Sequence, residues 1–126
     1  MKHVNSGFIG TNLESLLKKK LVRRLVIAGL TTDHCISTTV RMAANLFVTS
    51  HLTENREIDE GSVILVEDAT ATWGRDGFDA ETIHKVHVAS LRAEFCEVMN
   101  TAQVLKMLGF GTHEDEIMAE SDEMGG

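Results

Sequence analysis

What the sequence lacks narrows the class of protein before any motif is considered. It contains no proline, and its two cysteines are too few for a disulfide framework. No apolar run approaches the roughly 18 residues that a membrane-spanning helix needs, and the first residues carry no apolar segment typical of a secretory signal. These absences predict a cytoplasmic protein that has no membrane partner.

Excess negative charge lies almost entirely at one end of the chain. The net charge is −7, and residues 111–126 hold six carboxylates with no Lys or Arg. Because few apolar residues accompany them, we predict an acidic disordered tail over 111–126 and a nearly neutral body over 1–110. An acidic interaction tail is the alternative.

A basic run over 18–24 superficially resembles a nucleic-acid or nuclear-import patch. Lysines at the end of a short helix explain this run better, because cations suit the negative end of the helix dipole. We therefore expect no nucleic-acid partner.

The body reads as one domain in which helices alternate with short apolar strands. The hydrophobic content of 43% and charged content of 25% are ordinary for a soluble globular protein. We predict strands at 25–28, 63–67 and 95–99, although a continued helix fits the last of these almost as well. Alternation of this kind implies a parallel sheet with right-handed crossovers. Three helices are predicted in this part of the pattern. The first begins at a capping box of Thr11 and Glu14, the second spans 79–92, and the third runs from Thr101 to Gly109.

The segment 47–61 connects the second predicted helix to the second strand. Helix-to-strand loops usually have about two to six residues, and this one is much longer. We interpret it as a surface insertion in the domain, with a substrate lid as the alternative.

Cys35 lies where a strand ends and a helix begins. Residues 25–28 predict a strand buried on both faces, and Gly29 ends it. Residues 31–33 are of N-cap types, and from Ile36 the apolar residues repeat at helical spacing. At such a turn, backbone N–H groups and the helix dipole stabilise a thiolate and can bind an oxyanion.

Four segments in order resemble the isochorismatase-like cysteine hydrolases. Residues 29–46 (GLTTDHCISTTVRMAANL) resemble the family's cysteine motif, and residues 2–13 (KHVNSGFIGTNL) resemble its lysine segment. Residues 66–72 and 89–95 resemble its later landmarks. The resemblance implies a three-layer α/β/α fold with a parallel, Rossmann-like sheet. The family has more chain before the lysine, so the resemblance also implies an N-terminally truncated domain over 1–110.

The resemblance implies a hydrolase that acts on an amide or carbamoyl C–N bond of a small molecule. Cys35 would be the nucleophile, and Lys2 would hold the thiolate by its charge. Leu30–Thr31 matches the family's cis peptide bond, which directs backbone N–H groups at the oxyanion. The family's general-base aspartate and the segment that holds a metal in its nicotinamidases have no match. We therefore expect impaired catalysis, no metal and no cofactor.

Several other residues have more than one interpretation from the sequence. Phe8 and Trp73 are candidate walls of a substrate pocket or, alternatively, core residues. His84 and His87 share a helix face, which is more typical of a polar surface than of a metal site without a third ligand. Cys96 is predicted to be a core thiol.

The alternative function is a non-catalytic fragment or degenerate homologue that acts as a structural partner. If the missing segments include neighbouring strands, one strand keeps an uncovered edge, and such edges pair with other chains. We therefore expect a homo-oligomer.

Overall fold

A computed structural model describes residues 3–110. Lys2 and the predicted tail over 111–126 lie outside the described residues. The described part contains four α-helices, five strands and one π turn. In chain order these are α1 (Leu13–Lys19), β1 (Arg24–Leu30), the π turn (Thr32–Ile36), α2 (Ser37–Asn45), β2 (His51–Leu52), β3 (Ile58–Asp59), β4 (Ser62–Ala71), α3 (Ala80–Leu91), β5 (Glu97–Met99) and α4 (Thr101–Met107).

The central sheet is parallel and has the order β1-β4-β5. All three predicted strands are present, so the predicted fold class is confirmed. The second strand is longer than predicted, because β4 continues to Ala71, beyond the predicted end at residue 67. The pairing explains this extension. Ile27 pairs with Leu65, whereas Gly29 pairs with Thr70, so β4 bulges and then pairs with β1 again.

Hydrophobic clusters occupy both faces of the sheet. The larger cluster joins Ile27 and Leu65 to apolar residues of α2 and α3, with side chains of α1 packed against it. The smaller cluster joins Ile64 and Val66 to Val104 of α4. Helices therefore cover both faces, and Cys96 is part of the larger cluster, as predicted.

The prediction that the first strand is buried on both faces is wrong. Alternate residues of β1 are exposed, with Val26 at 37% and Leu30 at 62%. Val26 pairs with Ile64 and therefore shares its face of the sheet, where α4 packs on β4. Within residues 3–110, no strand pairs with the other edge of β1. The apolar run of β1 is therefore buried on only one face of the sheet.

Two predicted helix caps are one residue out of place. The N-cap of α1 is Asn12 rather than Thr11, whose hydroxyl donates instead to the carbonyls of Gly7 and Phe8. The N-cap of α4 is Asn100, which forms a capping box with Gln103. Thr101 is the first residue of α4, and its hydroxyl and N–H both donate to Asp68 Oδ1 at 2.7 Å.

The segment 47–61 forms a small antiparallel hairpin of β2 and β3. His51 Nε2 lies 2.6 Å from the carbonyl oxygen of Val22, which holds the hairpin beside the start of β1. A cleft of about 760 Å³ lies between the hairpin and residues 93–97, which lead into β5. Both features lie near the amino ends of the strands, whereas Cys35 follows the carboxyl end of β1. The hairpin therefore does not lie over Cys35.

No helix in residues 3–110 is long and apolar enough to span a bilayer.

Because β1 is an edge strand with exposed apolar residues, we expect the protein to self-associate through it. Val26→Lys should weaken this association at least about tenfold, since like charges facing each other across an interface cost several kcal/mol. Sedimentation velocity over a dilution series measures the effect. Val86→Lys is the control, because Val86 is also exposed but lies on α3. A sharp melt from a dilute, strictly monomeric sample would contradict the prediction.

Candidate active site

Cys35 lies in the π turn between β1 and α2. The turn is held by backbone N–H groups of His34 and Ile36, which donate to the carbonyl oxygen of Thr31 at 3.2 and 3.1 Å. The peptide bond between Leu30 and Thr31 is cis, at the position where the resemblance implies it. Cys35 is partly buried, and α2 begins two residues later at Ser37. The predicted strand-to-helix turn is therefore present, with a π turn as its first part.

The carboxylate of Asp33 ties this turn to the loop after β4. Its side chain is 6% exposed. Thr72 Oγ1 donates to Oδ1 at 2.7 Å, and Arg75 Nε donates to Oδ2 at 2.9 Å. Burial by itself raises the pKa of Asp33, but the Thr72 hydroxyl, a backbone hydrogen bond and the charge of Arg75 outweigh it and lower the pKa to about 2. Asp33 is therefore ionised at any physiological pH.

Arg75 sits in a tight turn that fixes its backbone. Its N–H and C=O exchange hydrogen bonds with those of Phe78, at 3.0 and 2.8 Å. The two residues between them, Asp76 and Gly77, both have positive φ, which is the pattern of a type I′ turn. The guanidinium also lies 5.1 Å from the ring centroid of Trp73.

A second contact joins the turn to α3. Thr32 is fully buried, and its Oγ1 lies 2.7 Å from Nδ1 of His84. Nδ1 of His84 therefore faces the turn that contains Cys35. Among residues 3–110 no cluster of three or more His, Cys, Asp or Glu side chains could hold a metal ion.

The segment after Lys2 packs against the other side of the turn. Cys35 Sγ lies 3.7 Å from Oδ1 of Asn5. The N–H of Gly7 donates to Thr39 Oγ1 of α2 at 3.0 Å, which fixes the segment against the helix. Lys2 itself lies outside the described residues, so its predicted role stays a prediction.

The two candidate pocket residues have different environments. Phe8 is 6% exposed and belongs to the larger hydrophobic cluster, whereas Trp73 is 56% exposed beside Arg75. Among the described residues, two buried side-chain polar atoms have no hydrogen-bond partner, Thr31 Oγ1 and Arg75 Nη2. Both belong to segments that meet at Asp33. Sequence reasoning missed Arg75, although the Asp76-Gly77 dipeptide is a recognisable turn signal.

The nearby carboxylates have structural partners. Asp33 is bound by Thr72 and Arg75, and Asp68 accepts two hydrogen bonds from Thr101 at the start of α4. The Thr101 hydroxyl is the main reason that the pKa of Asp68 is lowered. A general base needs a pKa near the working pH, so Asp33, with a pKa of about 2, is not suited to take the proton of Cys35.

Comparison with known proteins agrees with this geometry. The isochorismatase domain model matches residues 1–103. The chain therefore belongs to the isochorismatase family, and the predicted family is confirmed. A structure from Chromobacterium violaceum, described as a hydrolase of this family, is 34% identical with a TM-score of 0.67, over 86% of this chain and 52% of that one. A cysteine hydrolase from Pseudomonas syringae pv. phaseolicola is 25% identical with a TM-score of 0.64, over 83% and 46%.

Curated relatives include proteins with and without an assigned activity. The uncharacterized isochorismatase family protein YrdC of Bacillus subtilis is 43% identical over 109 residues, which cover 82% of this chain and 51% of YrdC. The ureidoacrylate amidohydrolase RutB of Agrobacterium fabrum is 30% identical over 102 residues, covering 77% of this chain and 39% of RutB. The chain thus spans about half of the length of YrdC and less of RutB.

The environments of the two cysteines predict different reactivity. Burial raises the pKa of Cys96 to about 11, so at neutral pH only about one molecule in ten thousand carries this thiolate. Cys35 is less buried. We expect iodoacetamide to label Cys35 faster, as followed by mass spectrometry of peptides after timed alkylation. Cys96→Ala should leave the labelling of Cys35 unchanged, and equal rates at the two cysteines would refute the prediction.

Asp33 predicts a specific loss of stability in acid. Because its folded-state pKa of about 2 lies below the value of about 3.9 in unfolded chains, its contribution is complete above about pH 4 and is lost as the pH falls towards 2. Asp33→Asn should lower the free energy of unfolding at neutral pH by about 1–3 kcal/mol.

Urea denaturation at several pH values measures this contribution. The difference between wild type and Asp33→Asn should shrink between about pH 4 and pH 2. The control is Asp76→Asn, which changes an exposed carboxylate of the neighbouring turn. A difference that stays constant across this window would show that Asp33 does not titrate as described.

Proposed function

We propose that this protein is a cysteine-dependent hydrolase of a small C–N bond, in an amide, ureido or carbamoyl compound. The observation that carries the proposal is the position of Cys35, partly buried, in a turn that hydrogen bonds tie to two other segments, between a parallel strand and the start of a helix. Nucleophiles at such turns are a recurring solution for covalent hydrolysis. Membership of the isochorismatase family supports the same chemistry.

In the proposed reaction, the Cys35 thiolate attacks the carbonyl carbon, and a tetrahedral oxyanion forms. Backbone N–H groups beside Leu30 and Thr31 stabilise this oxyanion, and Lys2 orients the thiolate and the substrate. The C–N bond then breaks and the nitrogen leaves as ammonia or an amine after it gains a proton. Water hydrolyses the resulting thioester, which returns the thiol.

The charge of Arg75, which Asp33 holds two residues from Cys35 in sequence, favours substrates that carry a carboxylate. Asp33 holds Nε, while Nη2 is a buried donor without an acceptor. A guanidinium fixed at one edge is suited to bind a carboxylate with its other N–H groups. The hydroxyl of Thr31 is a second buried donor without a partner. The relative named for ureidoacrylate hydrolysis acts on such a carboxylate-bearing ureido compound.

Turnover by this chain should be weak. Among the described residues, Asp33 and Asp68 are both held in structural hydrogen bonds, so neither is placed to act as the general base. Losing a positioned acid–base group costs about 10²–10⁴ in rate. The alternative function, a non-catalytic homologue that acts as a structural partner, predicts no turnover at all.

An ammonia-release assay tests the proposed reaction. It compares ureidoacrylate, N-carbamoyl amino acids and nicotinamide at equal concentration, with Cys35→Ser as the control. We expect slow release that favours the carboxylate-bearing ureido compounds and disappears in Cys35→Ser. Fast turnover would show that another residue supplies the base, and no release from any compound would favour the non-catalytic alternative.

A pair of alkylating agents tests the role of Arg75 without turnover. Iodoacetate carries a carboxylate and iodoacetamide does not, so the ratio of their rates at Cys35 reports a nearby cation. Arg75→Gln should lower this ratio at least about threefold, since a charge interaction at a few ångströms is worth about 1 kcal/mol or more.

Two further variants serve as controls for Arg75. Arg75→Lys keeps the charge, so its ratio of iodoacetate to iodoacetamide rates should lie between those of the wild type and Arg75→Gln. Arg92→Gln removes a guanidinium on another segment, 3.9 Å from Glu67, and should leave the ratio unchanged. The iodoacetamide rate shows whether the turn is intact in each variant. An unchanged ratio in Arg75→Gln would exclude a carboxylate site at Arg75.

A further inference from the structure

We propose that His84 is a positioning residue that holds the nucleophile turn against α3. His84 Nδ1 and Thr32 Oγ1 are 2.7 Å apart although 52 residues separate them in sequence. Thr32 is the first residue of the π turn, and Cys35 is the fourth. The consequence for catalysis rests on the proposed function, whereas the geometric role does not.

The bond with His84 satisfies a polar group that water does not reach. Thr32 is 0% exposed, so its hydroxyl depends on a protein partner. A buried hydroxyl without a partner is costly, and the structure around it rearranges to restore a hydrogen bond. The hydroxyl can both donate and accept, so the bond forms with either neutral tautomer of the imidazole. Losing His84 therefore affects the turn directly.

His84 complements the contact made by Asp33. Asp33 ties the turn to the loop that carries Thr72 and Arg75, whereas Thr32 ties it to α3. The two tethered residues are adjacent, and their anchors lie in different elements. A turn held from two directions has less freedom to rotate, which fixes where the Cys35 sulfur points.

The test compares alkylation rates of Cys35 by iodoacetamide at neutral pH in four proteins. His84→Leu keeps the approximate size but removes the hydrogen bond. His84→Asn places an amide near the position of Nδ1 and restores it. His87→Leu is the matched control on the same helix. We expect Cys35 of His84→Leu to react about fivefold more slowly. One hydrogen bond of ordinary net strength changes the population of the ordered turn by about that factor. His84→Asn and His87→Leu should react like the wild type.

Cys96 distinguishes a local effect from general loosening of the fold. It is buried, so its labelling rate reports opening of the core. A slower Cys35 with unchanged Cys96 labelling supports the positioning role. If the rate at Cys35 is unchanged or higher in His84→Leu, or if His84→Asn fails to restore it, the proposal is wrong. A rise in Cys96 labelling that accompanies the change at Cys35 would also overturn it, because the effect would then be global.

A double-mutant cycle provides a second, independent readout. Thr32→Val removes the hydroxyl at nearly constant shape. If the two side chains act through their mutual bond, Thr32→Val and His84→Leu should have effects on the Cys35 rate that are not additive, and the double variant should resemble either single one. Additive effects would contradict the proposal. Because alkylation needs no substrate turnover, failure of the ammonia-release assay leaves this test intact.

Discussion

The buried carboxylate of Asp33 is the interaction on which the site depends. It lies after β1, and its partners Thr72 and Arg75 lie after β4. Parallel pairing brings the carboxyl ends of these two strands to the same edge of the sheet, so the loops that follow them meet there. Asp33 fixes the two loops relative to each other. Its ionised carboxylate accepts hydrogen bonds from Thr72 and Arg75, and charge-assisted bonds of this kind restrict the conformation of the turn.

The rest of the fold supports one face of the sheet more completely than the other. On one face, α2 follows the turn and α3 contacts it, and apolar residues of both helices belong to the larger cluster. On the other, α4 covers β4 and leaves Val26 and Leu30 of β1 exposed. The well-packed face is the one that holds Thr32 against His84. The geometry of Cys35 therefore relies on the part of the molecule with the stronger core.

Local sequence signals predicted the elements that local physics determines. The apolar runs located β1 and β4, and helical spacing located α3, whereas the pattern at β5 fitted a continued helix almost as well. The prediction that Gly29 ends the first strand is wrong, because Gly29 pairs with Thr70 and β1 continues to Leu30. The turn that holds Cys35 begins at Thr32. The signals were weaker where two adjacent residues are both suited to the N-cap position, as at Asn12 and Asn100. They also overestimated the burial of β1, because an apolar run does not reveal how many faces of its strand are covered.

The contacts that build the site could not be predicted, because they are nonlocal. Thr32 and His84 are 52 residues apart, and Asp33 and Arg75 are 42 apart. Nothing in the spacing of these residues pairs them, and the bulge that lengthens β4 depends on its pairing with β1. The Asp76-Gly77 turn was the one local signal for this region. It identifies a tight reversal but not the partner of the arginine beside it.

The same interaction that builds the turn removes its carboxylate from acid–base chemistry. With a pKa of about 2, Asp33 holds a proton far too weakly to accept one from a thiol at neutral pH. The carboxylate that holds the turn is therefore unsuited to proton transfer, and the proposed reaction needs a different group as its base. A residue that both anchors the turn and shuttles protons would need a pKa near neutrality. Such a pKa would weaken the ion pair with Arg75 on which the turn relies.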